Sequence, residues 1–380
     1  MREGAGRVAR RTLDAMSSTS QRGWRAVLAR AVAVAAVVGS VAPLACAPRS
    51  GSAPAWRAPQ AASPTPAATA APVPTEITLA LAGDVHFTGR TLRLLDHPDT
   101  AFGEVASVLR GADLAVVNLE TAVTTRGAPQ PKQYLFRAPA SAYTALRAAG
   151  VDGASVANNH TLDYGHVGLL DTLGSARAAG MPVFGAGRNA GEAYAAWVTT
   201  VRGVRVAMVG LSQVRELAQA WAATDSRPGV AMAYDAERAV AAVRAARQRA
   251  DVVVVFMHWG VEGSSCPSGE MRSFAARMAG AGADVVVGTH AHTLLADGWL
   301  GRTYVHYGLG NFLWYGSSHS VDSGVLRLTV RGRTVVRNEF LPAVVSETGQ
   351  PVLLSGAAAE RVRDRVARAQ RCTGLSRTRP

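Results

Sequence analysis

The chain has 380 residues, of which 48% are hydrophobic and 18% charged, the composition of a globular protein with a substantial core in one large domain or two ordinary ones. A formal charge of +13 would suit a polyanion binder, but the charge sits at the two ends. Residues 1–57 hold nine Arg against Glu3 and Asp14, and residues 356–380 hold seven Arg against Glu360 and Asp364, so the body between them is near neutral and argues against a nucleic-acid groove.

The N-terminal end reads as an export signal. Arg22, Arg25 and Arg30 precede an apolar run from Ala31 to Ala45 that is short for a membrane span. Met16 is an alternative start, and Arg10-Arg11 is a weak twin-arginine hint. Pro43-Leu44-Ala45-Cys46 resembles a lipoprotein cleavage site with Pro43 where Leu is usual, so the expectation divides among lipidation of Cys46, cleavage nearby and an uncleaved anchor. Residues 1–46 are thus a signal or anchor. Residues 47–75, rich in Pro, Ala and Ser/Thr, read as a disordered tether. The protein is expected outside the cytoplasm, secreted or membrane-anchored, where Cys266 and Cys372 can pair.

The folded domain is expected over 76–345. Ile77–Ala82 reads as a buried strand ending at Asp84 and His86, followed by a helix near Phe102–Arg110. Leu114–Val117 is the next strand and delivers Glu120. Residues 121–138, with Pro129 and Pro131, form a loop long enough to be functional. Lys132, the only lysine, lies in it and reads as coding bias. Helices at Ser141–Ala149 and His166–Ala179 end at Gly150 and Gly180, and between them the strand Gly153–Val156 leads into Asn158-Asn159-His160 and Asp163. Val198–Val201 and Val204–Val209 flank Arg202-Gly203 as a hairpin. Gln213–Met232 reads as a surface excursion, and Ala236–Arg249 as an amphipathic helix.

Val252–Met257 is a strand ending in His258, and a helix near Gly269–Ala281 precedes the β-branched run from Asp284 to Val287, which ends in His290 and His292. Strands follow around Ala296–Leu300, Thr303–Tyr307, Gly324–Val330 and Thr334–Phe340, with a basic helix and tail in 346–380. Strands alternating with helices and then hairpins argue for a layered α/β domain with mixed sheets. Its polar residues collect at strand C-terminal ends, where open α/β sheets place their ligands. Five strand ends supply Asp84/His86, Glu120, Asn159/His160, His258 and His290/His292. Carboxylate, amide and imidazole together suit first-row divalent ions such as Mn, Fe or Zn.

The order of these blocks resembles the metallophosphoesterase (calcineurin-like) superfamily. Within it the blocks are most similar to the CapA family of capsule-synthesis proteins associated with poly-γ-glutamate. The residues that carry the resemblance are Gly83-Asp84, Asn118-Leu119-Glu120, Asn158-Asn159-His160 with Asp163 and Gly165, His258-Trp259-Gly260 with Glu262, Gly288-Thr289-His290-Ala291-His292 and Tyr307–Phe312. They span roughly 76–340. Gly263, Ala291 and Gly308 depart from the residues common at those places, and His86 restores an Asp-x-His that many capsule-family members lack.

The resemblance implies a four-layer α/β/β/α sandwich and two divalent ions. Asp84, His86 and His292 would hold one ion, Asn159, His258 and His290 the other, with Glu120 bridging. Paired ions about 3.5–4 Å apart clamp substrate oxygens and lower the pKa of bound water. His160 would be the general acid or a stabiliser of developing charge, oriented by Asp163. Arg90, Glu262 and Asn311 are substrate-side candidates, each with an ordinary structural alternative. Trp259 and Tyr164 read as packing residues, and no role falls to His97, His166, His306 or His319. The function implied is a part in making, exporting or anchoring poly-γ-glutamate or a related anionic surface polymer, by metal-dependent hydrolysis and alongside membrane synthase components. The alternatives are a non-catalytic polymer-binding accessory and a metallophosphatase with an unrelated substrate.

Overall fold

The computed structural model describes residues 75–316 and 318–380. The expected signal at 1–46, Cys46 and nearly all of the 47–75 tether lie outside the described residues. Among the described residues no helix is long and apolar enough to cross a membrane.

Two sheets face each other. The first runs Pro351–Leu353, Thr334–Val345, Asp322–Arg331, Glu76–Val85, Leu114–Leu119, Gly153–Ser155 and Val183–Phe184, with Asn311–Leu313 added beside the end of Glu76–Val85. The second runs Leu294–Leu300, Thr303–Leu309, Val285–His290, Val252–Trp259, Val204–Ser212 and Trp197–Val201. Glu76–Val85, Leu114–Leu119 and Gly153–Ser155 pair in parallel in the first sheet, as Val204–Ser212, Val252–Trp259 and Val285–His290 do in the second, while Glu76–Val85 is antiparallel to Asp322–Arg331. Such strands are covered on both faces, which is why they read as unbroken Val and Leu runs rather than alternating ones.

The period of two then decides which layer each residue meets. Ile77, Leu79, Leu81 and Val116 point inward to Val254, Phe256, Val285 and Val287 of the other sheet. Ala80, Ala82, Ala115 and Val117 point outward to helices Ser141–Ala148 and Gly165–Ala178. On the opposite side Val253, Val255, Met257 and Val286 meet helices Ala236–Arg249 and Gly269–Ala281. The order of layers is α/β/β/α, as expected.

Several local expectations change. Phe102–Arg110 is a 3₁₀ turn at Gly103–Val105 followed by a short helix at Ala106–Arg110, since Gly103 takes a φ of 60° that breaks a continuous helix. Gln213–Met232 is not a surface excursion throughout. Its short helix Ala218–Trp221 buries Trp221, and Val230 and Met232 join the same core. Residues 346–380 are built into the sandwich as well. Pro351–Leu353 extends the first sheet, Ala359 and Val362 of helix Gly356–Ala369 are buried, and Ser376 exchanges backbone hydrogen bonds with Trp299 at 2.8 and 2.9 Å. The Cys266–Cys372 disulfide forms, with Cα atoms 5.8 Å apart.

Candidate metal centre

Parallel strands align their C-terminal ends, so the side chains that follow them converge. Asp84, Glu120 and His258 offer ligand atoms within 4.8 Å of one another, and so do Glu120, His290 and His292. Glu120 belongs to both groups, the position expected of a bridging carboxylate. All five are at least 95% buried, and the 5% exposure left to Asn159, His160, His290 and His292 marks where solvent reaches the cluster.

The local backbone is shaped for this convergence. Gly83 lies so close to the loop after Leu309 that a Cβ there would fall 1.8 Å from the Gly310 carbonyl oxygen. His290 and His292 take φ of 83° and 53°, positions L-residues adopt at a cost. The His290 N–H repays part of that cost by donating to Asp84 Oδ2 at 3.1 Å. Asn118 Nδ2 donates to Asp84 Oδ1 at 2.8 Å, and Asn158 Nδ2 fixes Asn118 Oδ1 at 3.1 Å.

The polar inventory is one a cation would complete. Burial pushes the Asp84 carboxyl up, but the hydrogen bond from His292 and the nearby imidazoles outweigh it and hold Asp84 below the usual range. Burial, reinforced by Asp84, drives Glu120 well above its ordinary value. Burial also keeps His86, His160 and His290 neutral and lowers His258 to about 3, which leaves lone pairs for a metal. Glu120 Oε1 stands 3.3 Å from His258 Nε2 yet accepts no hydrogen bond among the described residues, and His290 Nδ1 has no partner among them either. Orphaned buried atoms of this kind are rare in native interiors.

Tautomers follow from the surrounding partners. The Thr289 hydroxyl donates to the Met257 carbonyl at 3.0 Å, so its contact with His258 Nδ1 at 3.0 Å has the imidazole donating. His258 Nε2 therefore presents a lone pair to Asn159 Oδ1 at 2.8 Å and to Glu120, an arrangement of acceptors that a cation between them would satisfy. Asn311 spends its Nδ2 on the Ser318 and Ser320 carbonyls at 3.3 and 3.2 Å. Its Oδ1 must accept from His292 Nδ1 at 2.8 Å, leaving His292 Nε2 free. Asn311 is fully buried, so it does not face substrate. It orients His292.

His86 is placed apart from both groups. Its Nδ1 and Nε2 lie 3.2 and 3.3 Å from the N–H groups of Thr88 and Tyr315, and its ring stacks on Phe136 at 4.4 Å. It becomes a ligand only if the Tyr315 amide gives up its contact. The other face of Phe136 stacks on His160 at 3.9 Å. His160 Nδ1 meets Asp163 Oδ2 at 2.6 Å and its Nε2 stands 3.9 Å from Glu120 Oε1, so Asp163 holds the ring by its far nitrogen. Arg90 donates to the Gly316 carbonyl at 3.3 Å, tying a loop instead of facing the cluster. Glu262, exposed, meets His319 at 3.2 Å. Trp259 is a packing residue, with Nε1 donating to the Tyr307 carbonyl.

Two participants had no local signal. Lys132 is buried against Asp163 at 2.7 Å, which replaces the reading of it as coding bias, and Glu216, in the supposed surface excursion, approaches Asn159 and Lys132. Their partners are far away in sequence, and no spacing rule would have brought them together.

The model of the bacterial capsule synthesis protein PGA_cap family matches residues 78–315. The chain belongs to that family. The PGA biosynthesis protein CapA of Bacillus subtilis is 31% identical over 67% of this chain and 67% of its own length, and the capsule biosynthesis protein CapA of Bacillus anthracis 27% identical over 74% and 70%. Among solved structures, a novel phosphatase from Mycoplasma pneumoniae gives 13% identity and a TM-score of 0.47 over 71% of this chain and 94% of that one. The matched range of this CapA-like chain takes in every strand-end block from Asp84 to Asn311, and with them Gly263. A Cβ at Gly263 would stand 2.8 Å from His319 Nδ1, so here His319 occupies the space that a larger residue at 263 would need.

Proposed function

We propose that this protein is an extracytoplasmic, metal-dependent hydrolase that acts in the synthesis, export or anchoring of poly-γ-glutamate or a related anionic surface polymer. The observation that carries the hydrolytic reading is the buried Asp84, Glu120, His258, His290, His292 set with its orphaned Glu120 Oε1 and His290 Nδ1. Glu120 would bridge two divalent ions, and Asn159 Oδ1 would join His258 on one side. Bound there, such ions supply Lewis acidity and a water of lowered pKa.

The chain's own groups do the rest. His160 holds a proton on Nδ1 toward Asp163, with Nε2 turned to the cluster. Burial and the neighbouring Lys132 hold this imidazole well below its ordinary range, and from that position Nε2 would act as the general acid for the leaving group or stabilise developing charge. The Cys266–Cys372 disulfide supports a location in an oxidising compartment.

The test is metal analysis of the purified protein together with hydrolysis of an aryl phosphomonoester, an aryl phosphodiester and poly-γ-glutamate. About two divalent ions per chain are expected. His160→Ala should retain them while losing about 10²–10⁴-fold in rate, and Asp84→Asn should lose metal. Absence of bound metal, or rates indifferent to both changes, would sink the reading. A second reading, a non-catalytic accessory, is favoured by a relative in Mycobacterium tuberculosis, a probable polyglutamine synthesis accessory protein 33% identical over 203 residues. Under it, cells carrying His160→Ala would keep normal polymer output.

A further inference from the structure

Lys132 is the single lysine of the chain, and its side chain is 1% exposed. Its Nζ lies 2.7 Å from Asp163 Oδ1 and 3.3 Å from Glu216 Oε2. It also donates to the Asn159 carbonyl and sits 4.9 Å over the Trp221 ring. An ammonium has three hydrogens. Two of them go to the Asn159 carbonyl and Asp163 Oδ1, the third side faces His160 Nδ1 at 3.3 Å, and Glu216 meets the ammonium as an ion pair.

Glu216 adds a second constraint. Its Oε2 is 3.4 Å from Asn159 Nδ2, and a carboxylate can only accept. The nitrogen end of the Asn159 amide is therefore held toward Glu216, which turns Oδ1 to His258 Nε2, 2.8 Å away. The segment that carries Glu216 is itself fixed. The Gln213 N–H donates to the His258 carbonyl at 2.8 Å, and Trp221 is buried. Between them Leu217 takes a φ of 51°, a left-handed position that persists only where the surroundings over-determine it.

We propose that Lys132 and Glu216 are positioning residues, a clamp that presents Asn159 Oδ1 and His160 Nε2 to the cluster and so sets metal affinity on its His258 side. This rests on the metal reading above. Neither residue touches the cluster through a side chain of its own. Asp163 aims the His160 ring through Nδ1, Glu216 selects the Asn159 rotamer, and Lys132 holds both carboxylates in place. Without the clamp the Asn159 amide can turn its nitrogen to His258 Nε2, where it would repel a cation.

The experiment uses full-length protein stripped of metal and titrated with Mn²⁺ alone by calorimetry. Glu216→Ala, at a side chain 42% exposed, should leave the melting temperature unchanged and weaken Mn²⁺ binding at one position by about 10-fold. Glu216→Gln keeps an oxygen for Asn159 Nδ2 and should stay within about 3-fold of the wild type. In a Lys132→Met background the further loss from Glu216→Ala should shrink, because residues that act as a unit do not add. Equal Mn²⁺ affinity in wild type and Glu216→Ala overturns the clamp.

A metal-free arm keeps this separate from the failure of the metal reading. With one lysine, amine acylation mapped by peptide mass reports Lys132 alone beside the N-terminal amine. Stripped wild type should acylate at Lys132 at least about 10-fold more slowly than Glu216→Ala, as expected for a protected group. Equal acylation rates overturn the clamp, and a wild type that binds no Mn²⁺ while keeping Lys132 protected overturns the metal reading instead.

Discussion

Asn311 shows how much a single side chain can settle. Its amide nitrogen is committed to two carbonyls, so its oxygen dictates that His292 carries its proton on Nδ1 and keeps Nε2 free. Asn311→Ala should therefore lower metal affinity about 10-fold, read by Mn²⁺ titration, while Glu262→Ala at the exposed rim should leave it unchanged. Equal affinity in Asn311→Ala and wild type would mean that the tautomer is fixed by Asp84, whose Oδ2 lies 3.4 Å from the same nitrogen. At this scale the sequence was legible wherever a residue's meaning is local. Asp84, Glu120, His258, His290 and His292 each end an apolar run, and strand pairing then brings them together. Lys132 was opaque, because its meaning comes from Asp163 and Glu216, 31 and 84 positions away.

The strands themselves were readable, because burial on both faces demands unbroken runs of Val and Leu in Val252–Trp259 and Val285–His290. The short pieces were not. Asn311–Leu313 has three residues and no periodicity, yet its register with Asp84 and Val85 forms the floor of the cluster. That pairing depends on Gly83, where a Cβ would fall 1.8 Å from the Gly310 oxygen. The Cβ position is fixed by the backbone and the oxygen belongs to main chain, so neither can rotate away. Gly83→Ala should thus destabilise the fold by about 3 kcal/mol or more, measured by urea unfolding, and a loss under about 1 kcal/mol would show that the two segments separate easily. The Gln213–Met232 segment misled for a related reason. A four-residue helix with one buried Trp carries no repeating pattern, although it aims Glu216.

At the scale of the molecule, composition and block order conveyed the layers but not how the ends are tied. The Cys266–Cys372 disulfide spans 106 residues and pins the C-terminal segment beside helix Gly269–Ala281. Cys372→Ser should lower stability by about 2–5 kcal/mol, seen as a fall in melting temperature that reductant reproduces in the wild type and cannot deepen in the variant. Sheet order was beyond reach, since no local rule pairs Glu76 with Arg331, 255 positions away. That pairing also bears on timing. Synthesis delivers a chain from its amino end, so the strand bearing Asp84 emerges first and keeps one edge bare until Asp322–Arg331 arrives. A bare edge is a template for any other extended chain. The candidate ligands run from Asp84 to His292, so the cluster converges only after most of the chain has been made.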